Sequence, residues 1–472
     1  PVPTSMFNEK GDMCISKSKS TLKKNLQVEV SCRLGIQPDV TVIDGCAILW
    51  ILHWPNRGTV RDFVDNFTGY ILAKNKTSDI YVVFDRYYDF SIKSGTRFAR
   101  AGRHASRRHK LSMNAPLPPQ NVVLTVTENK VQLIDLICQQ LTEAGRGSKS
   151  KHRLVITGSD PTPVEIHHGI QLPRRDLLNT QEEADVIMIH QVAQVAEAGS
   201  QCINVISDDT DVFVLLMYHF SELNMQGRLT MEATSAGRSL VDIGATVEKH
   251  KDIVKYLPAV HALTGCDTVA QLWGRGKGTT LVAGRVLHSL GEENAAITDV
   301  IDEATEFIAA CYGSKKTTHM SDVRQEVWST KMGKPKLTKT PDLKALPPTT
   351  ESFEQNVRRA HIQTAIWKSA ANSTPPSLDP TQYGWTRDEA SKSLIPIMLP
   401  PNVPLAPPEV LEMIRCGCSS QRPCYTALCR CTAAKLSCTM FCACRGETVC
   451  QNDRTKTAAA FAEDDDSDHD TE

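Results

Sequence analysis

Apolar residues fall along this chain in two rhythms. Short β-branched runs at VTVID (40–44), IYVVFD (80–85), RLVIT (153–157) and CINVISD (202–208) have the length and residue types of buried strands. Between them, KVQLIDLICQQLTEA (130–144) and QEEADVIMIHQVAQVAEA (181–198) place their apolar residues at helical spacing. VFVLL (212–216) opens the segment that follows the fourth run. The alternation, from about Gln37 to His250, predicts an α/β fold whose mostly parallel sheet is flanked by helices. In an open sheet of that kind, ligands bind outside the carboxyl ends of the strands.

Beyond Tyr312 the pattern thins. KPKLTKTPDLKALPP (334–348) and LPPNVPLAPPE (399–409) are punctuated by proline, so 316–414 reads as a helical and proline-rich linker. Within it, ESFEQNVRRAHIQTAIWKSA offers a capping box, Ser352 with Gln355, and a packing stripe of Phe353, Val357, Ala360, Thr364 and Trp367. Residues 1–35 read as an N-terminal extension, and 454–472 as an acidic, disordered tail.

Composition adds limits. The 472 residues are 41% apolar and 23% charged with a formal charge of -1, so any nucleic-acid face must be local. No apolar run approaches the ~18 residues of a membrane span, and PVPTSMFNEKGDMC has no apolar signal core; the expectation is an intracellular protein that does not engage membranes. Of 16 cysteines, nine crowd into 416–450. Without a secretion signal, that crowding points to metal rather than disulfides.

The acids carry the chemistry. Three strands end in them: VTVID at Asp44, IYVVFD at Asp85, and CINVISDDTD at Asp208, Asp209 and Asp211. Glu183 and Asp185 open a helix, and LTGCD ends at Asp267. A single such acid is usually a turn former or a cap. Five sites in one α/β region, if they converge, hold carboxylates that repel one another unless cations lie between them. Oxygen-only ligands suit Mg2+ or Mn2+, and two such ions would serve in-line displacement at a phosphodiester.

In order and spacing, these acids resemble the flap endonuclease (XPG-like) branch of the PIN-like nucleases over roughly residues 36–290. The resemblance implies that Asp44, Asp85, Glu183, Asp185, Asp209, Asp211 and Asp267 hold two divalent ions, with Asp208 a neighbour. After Asp267, TVAQLWGRGKGTTLVAGRVL resembles a helix-hairpin-helix turn (about 262–290), in which Gly274, Gly276, Lys277 and Gly278 would grip a duplex phosphate with a bound K+. A plain glycine-rich connection is the alternative. In SIKSGTRFARAGRHASRRHK (91–110), Lys93 and Arg100 match the family's phosphate-reaching pair, while Arg97, Arg103, Arg107 and Arg108 would add DNA backbone contacts. RLVITGSDPTPVEIHHGI departs from the family as an inserted hairpin, and LTGCD replaces its usual G-S-D. The expected partner is branched or flap-containing duplex DNA, with RNA or a silent DNA-binding scaffold as alternatives.

Cys416, Cys418, Cys424, Cys429, Cys431, Cys438, Cys442, Cys444 and Cys450 fill the twelve positions around three tetrahedral zincs if three of them bridge two ions each. The spacing resembles a single tesmin-type CXC module (415–453). That resemblance implies DNA contact through Arg415, Arg422, Arg430, Lys435, Arg445 and Tyr425, or else a protein-interaction role. Together the two resemblances imply a nuclear enzyme associated with a mobile element.

Overall fold

The computed structural model describes residues 4–8, 11–16, 19–30, 37–102, 107–235, 240–272, 281, 283–314, 319–332, 343–400, 403, 415–419, 422–426, 428–434, 436–439, 442–447, 449–453 and 455. The chain divides into two compact units, Val2–Leu399 and a smaller one within 400–472. No described helix is long and apolar enough to cross a membrane.

The larger unit is built on one eight-stranded sheet. Its strands are β1 (Val40–Asp44), β2 (Asp79–Val83), β3 (Leu154–Thr157), β4 (Val164–His167), β5 (Ile170–Pro173), β6 (Cys202–Ile206), β7 (Arg228–Glu232) and β8 (Leu240–Asp242), in the order β5-β4-β3-β2-β1-β6-β7-β8. The central five, β3-β2-β1-β6-β7, run parallel, and β4, β5 and β8 pair antiparallel at the two edges. The expected hairpin, RLVITGSDPTPVEIHHGI, is β3 with β4, paired antiparallel, and β5 continues the sheet beyond it.

The helices are α1 (Ser20–Leu26), α2 (Gly45–Ile51), α3 (Val60–Lys74), α4 (Ser94–Ala101), α5 (Gln120–Thr125), α6 (Thr127–Gly147), α7 (Ala184–Glu197), α8 (Thr210–Glu222), α9 (Ile243–Lys249), α10 (Leu257–Leu263), α11 (Ile297–Tyr312), α12 (Met320–Met332) and α13 (Thr350–Lys368). VFVLL therefore lies inside α8. Because strand side chains alternate between faces, Val42, Val83 and Val205 enter one core with α7, α8, α10 and α13. Ile43, Val82 and Ile206 enter the other, with α2, α3 and α6. Both faces are covered, which explains the unbroken apolar runs that marked these strands.

Three segments differ from the reading of the sequence. The extension is part of the fold: Met6, Phe7, Leu22 and Leu26 are buried in the first core. The "linker" is too, since α13 packs on α8, α10 and α11, and all five residues of its stripe are buried. Of the two proline-rich stretches, 334–348 falls within the larger unit and 399–409 begins at its end. The expected capping box does not form, the N-cap Thr349 making no side-chain cap bond. α13 begins at Thr350 after Thr349, so Ser352 lies within the first turn, buried with its hydroxyl unpartnered. A second sheet, β9 (Trp385–Asp388) with β10 (Ser393–Pro396), packs against α4.

Candidate metal centre

The parallel strands fan out in opposite directions from β1, so a crevice opens beyond the carboxyl ends of β1, β2 and β6. Asp44 closes β1 and caps α2, its carboxylate accepting from the Ala47 amide at 2.9 Å and the Ser207 hydroxyl at 3.3 Å. Position 45 must be glycine, because a Cβ there would lie 2.5 Å from the Phe84 ring. Asp85 follows β2 and accepts from the Ala184 amide at 3.0 Å, which fastens the strand end to α7 and its acids Glu183 and Asp185. Asp209 caps α8 by accepting the Asp211 amide at 2.8 Å. Gly265, at φ +108°, turns the chain after α10 where any Cβ would meet Gln271 at 2.7 Å, and so presents Asp267.

The fold therefore brings the seven acids from five segments to one end of the sheet. Carboxylate oxygens of Asp185, Asp209 and Asp211 lie within 4.8 Å of one another, a spacing that could hold a metal ion. Asp208 instead accepts a hydrogen bond from the Thr234 amide at 3.3 Å and another from its hydroxyl. The cleft above has a volume of about 610 Å3 and is lined by Asp44, Asp85, Asp185, Asp208, Asp209 and Asp267 among the acids, and by Lys19, Lys93, Arg97, Arg100 and Lys130 among the cations.

The cations are unequally shared. Lys93 Nζ lies 2.8 Å from Glu183 and 3.9 Å from Asp185. Its loop is propped from behind, where the Phe90 amide donates to the Lys392 carbonyl and the Leu394 amide to Ser94 Oγ. Arg100 pairs with Asp267 at 2.8 Å, and Thr96 of the same helix donates to the Asp267 carbonyl. Arg97 turns to Glu182 at 2.6 Å and lies over the Tyr87 ring. Arg108 pairs with exposed Glu128, and the Arg107 carbonyl accepts from Asn129. Arg103, Gly274, Gly276, Lys277 and Gly278 lie outside the described residues; the described flanks of that glycine-rich turn are the seven-residue α10 and a 3-10 turn at Ala283–Val286.

Sequence reasoning missed three groups. Lys19 lies 3.2 Å from Asp211 and 2.7 Å from Asp267. Lys130, on α6, lies 3.5 Å from Asp85. His261 Nε2, fully buried on α10, is 2.7 Å from Asp211 Oδ1, and its ring stacks on Trp367. Nothing local announces any of them; only a polar residue on an otherwise apolar helix, as in LPAVHAL, hints at a buried partner.

The electrostatics follow this placement. Burial, with Asp85 and Asp209 nearby, pushes Asp44 up to about 7. Burial and Asp211 push Asp209 up to about 6, and burial with Asp209 raises Asp185 well above the usual carboxylate range. Burial opposes ionisation of Asp85 too, but Lys130, Lys93 and the Ala184 amide outweigh it and hold its carboxyl low. Burial is likewise outweighed at Asp211 by Lys19, His261 and Lys93 together, and at Asp267 by Lys19, Lys93 and Arg100, so both carboxyls are held low. One half of the cluster is thus short of positive charge, and oxygen-only donors in that state fit a hard divalent ion.

A pH dependence follows. With Asp44 near 3.8 when unfolded and about 7 when folded, the ion-free folded state binds the extra proton, so the contribution of Asp44 to stability is full below pH 4 and is lost as pH rises through 7. The depressed acids change only below pH 4. Thermal melts at pH 5, 6, 7 and 8 are expected to show Mg2+ raising Tm most at pH 7–8 and little at pH 5. A rise that is largest at pH 5 would contradict the assignment.

In the smaller unit, the described apolar core consists of cysteine alone: Cys416, Cys424, Cys429, Cys431, Cys438, Cys442, Cys444 and Cys450, with Cys418 packed beside them. Tyr425, Leu428 and Val449 point outward. Sulfur–sulfur distances of 3.5–4.0 Å match the edge of a tetrahedron with ~2.3 Å zinc–sulfur bonds. Three overlapping quartets can each surround an ion, Cys416 belonging to all three: Cys416-Cys424-Cys438-Cys444, Cys416-Cys429-Cys431-Cys438 and Cys416-Cys418-Cys424-Cys429. Cys442 lies 3.5 Å from Cys431, and Cys450 lies 3.9 Å from Cys444. The donor set fits zinc.

No protein-family model and no curated protein matches this chain. Solved structures do align. The bacteriophage T5 D15 protein crystallised with metal ions aligns at 13% identity and TM-score 0.32, over 68% of this chain and 98% of its own. The bacteriophage T5 D15 flap endonuclease in a pseudo-enzyme-product complex with DNA and metal ions aligns at 13% and 0.31, with the same coverage. A T5 5'-exonuclease mutant aligns at 12% and 0.29, over 69% and 99%. Scores of this size carry no argument, and the reading below rests on the chain's own side chains.

Proposed function

We propose that this chain is a divalent-metal-dependent endonuclease that hydrolyses phosphodiester bonds in DNA. The observation that carries the reading is the convergence of Asp185, Asp209 and Asp211 within 4.8 Å of one another, the first two lining an open cleft that five basic side chains also line. Asp44, Asp85, Asp185, Asp209 and Asp211 would hold Mg2+ or Mn2+, with Glu183 and Asp267 completing the set. When bound, one or two such ions supply Lewis acidity and an activated water. Lys93 and Arg100, each resting on an acid of the cluster, are placed to take the phosphate's developing charge instead. Exposed Arg107 and Arg108 extend a positive path for the backbone, so binding weakens with added salt.

The cysteine unit is proposed as a zinc module of the tesmin CXC type, carrying about three ions and tethering the enzyme to nuclear DNA. Arg415, Arg422, Arg430 and Arg445 are its described basic residues.

The test incubates the wild type and Asp209→Asn with labelled 5'-flap, bubble, plain duplex and RNA substrates in Mg2+, Mn2+ or EDTA. DNA cutting that needs the ion and falls by at least about a hundredfold in the variant is expected. Cutting confined to RNA would replace the substrate assignment, and no cutting of any substrate would end the reading.

A further inference from the structure

We propose that Lys19 is a built-in cation of the metal centre. It holds the Asp211–Asp267 edge, so the cleft takes one divalent ion tightly and admits a second only when the ammonium moves. The inference rests on the function proposed above and specifies the order in which its ions enter.

The hydrogen bonds of the two acids support it. Asp211 has Oδ1 against His261 Nε2 at 2.7 Å and Oδ2 against Lys19 Nζ at 3.2 Å. Asp267 has Oδ1 against Lys19 at 2.7 Å and Oδ2 against Arg100 at 2.8 Å. All four oxygens are thus taken by protein groups, and one ammonium spans both residues. Asp44 and Asp209 differ: the hydrogen bonds to their carboxylates come from uncharged donors, the Ala47 amide, the Ser207 hydroxyl and the Asp211 amide. An incoming ion meets carboxylates held by uncharged donors on that side and an installed ammonium on the other.

The lysine is fixed rather than trailing. It directly precedes α1, whose Leu22 and Leu26 are buried and which packs on α8, the helix that carries Asp211 in its first turn. Upstream, the Cys14 carbonyl accepts the Gln271 amide at 2.7 Å, joining this segment to the loop that carries Asp267. With its side chain 17% exposed, Lys19 lines the cleft and reaches it from the segment that precedes β1. A residue so anchored cannot drift away, yet its long side chain can rotate out when a second ion or a phosphate competes for it.

The experiment is a Mn2+ titration of the full chain with its zinc loaded, free Mn2+ being read by its electron paramagnetic resonance signal. Mn2+ prefers oxygen donors and leaves the thiolates to zinc. Wild type is expected to bind one ion tightly and a second more weakly. Lys19→Ala is expected to tighten the second by at least roughly tenfold and the first, which draws on Asp209 and Asp211, by clearly less, and Lys19→Arg to keep the wild-type gap. Asp209→Asn serves as the reference for the centre itself. If it loses the tight ion while Lys19→Ala titrates like wild type, the gate is overturned and the metal centre stands. If Asp209→Asn also titrates like wild type, the centre and the gate fall together.

Discussion

Exchange of Lys93 for alanine is expected to slow phosphodiester cleavage by about 10²- to 10³-fold, the usual loss when one preorganised donor to developing charge is removed. Lys93 is mostly buried, its ammonium 2.8 Å from Glu183, so the substitution also leaves two acids less compensated. Affinity for the divalent ion should therefore rise while turnover falls. Single-turnover cleavage measured across a Mg2+ titration separates the two: a lower maximum reached at a lower half-saturating concentration. A purely structural role for Lys93 would lower the maximum and weaken the ion together. Lys93→Arg, which keeps the charge in a wider head group, should recover part of the rate but not all of it.

Stripping zinc from the full chain is expected to unfold residues 415–455 while the larger unit keeps its own melting transition. The reason is the content of that unit's described core, which is thiol and nothing else. Eight buried sulfurs without a metal have neither the apolar area nor the hydrogen bonds to hold so short a segment. Structural zinc sites contribute about 10–16 kcal/mol each at neutral pH. Limited proteolysis before and after chelation, with metal analysis, reads the outcome. Cleavage should appear within 415–455 alone, and Cys431→Ser, which removes the most deeply buried sulfur, should lower the zinc count. A protease-resistant module free of zinc would show that something else holds it.

Much of this was legible from the sequence because a parallel sheet makes a local signal and a functional signal coincide. A β-branched run that ends in aspartate marks both a strand and the edge of the crevice, so Asp44, Asp85 and Asp209 could be read together. β5, β7 and β8 were harder, since three to five residues at or near a sheet edge carry too little periodicity to stand out. The cations of the centre were less legible still. Lys19 meets its acids across 192 and 248 positions of chain, and His261 meets Asp211 across 50. No spacing rule reaches that far, and a lone lysine before a short helix looks like any solvated charge. The C-terminal half of the larger unit was misread for a related reason. Proline-rich flanks resemble linkers, whereas what they bound here is α13, whose Asn356, Gln363 and Trp367 hydrogen-bond to Ala270, Thr268 and His219.

The burial of α13 also bears on how the protein is made. A chain that has grown only to residue 315 already contains all seven acids, Lys19, Lys93 and Arg100. It lacks the indole on which the His261 ring rests, and with it the backing of Asp211. It also lacks the β9–β10 hairpin behind the Lys93 loop. The acids and cations of the centre are therefore synthesised before the elements that back them, so a chain ended at residue 315 carries these side chains without α13 and the β9–β10 hairpin.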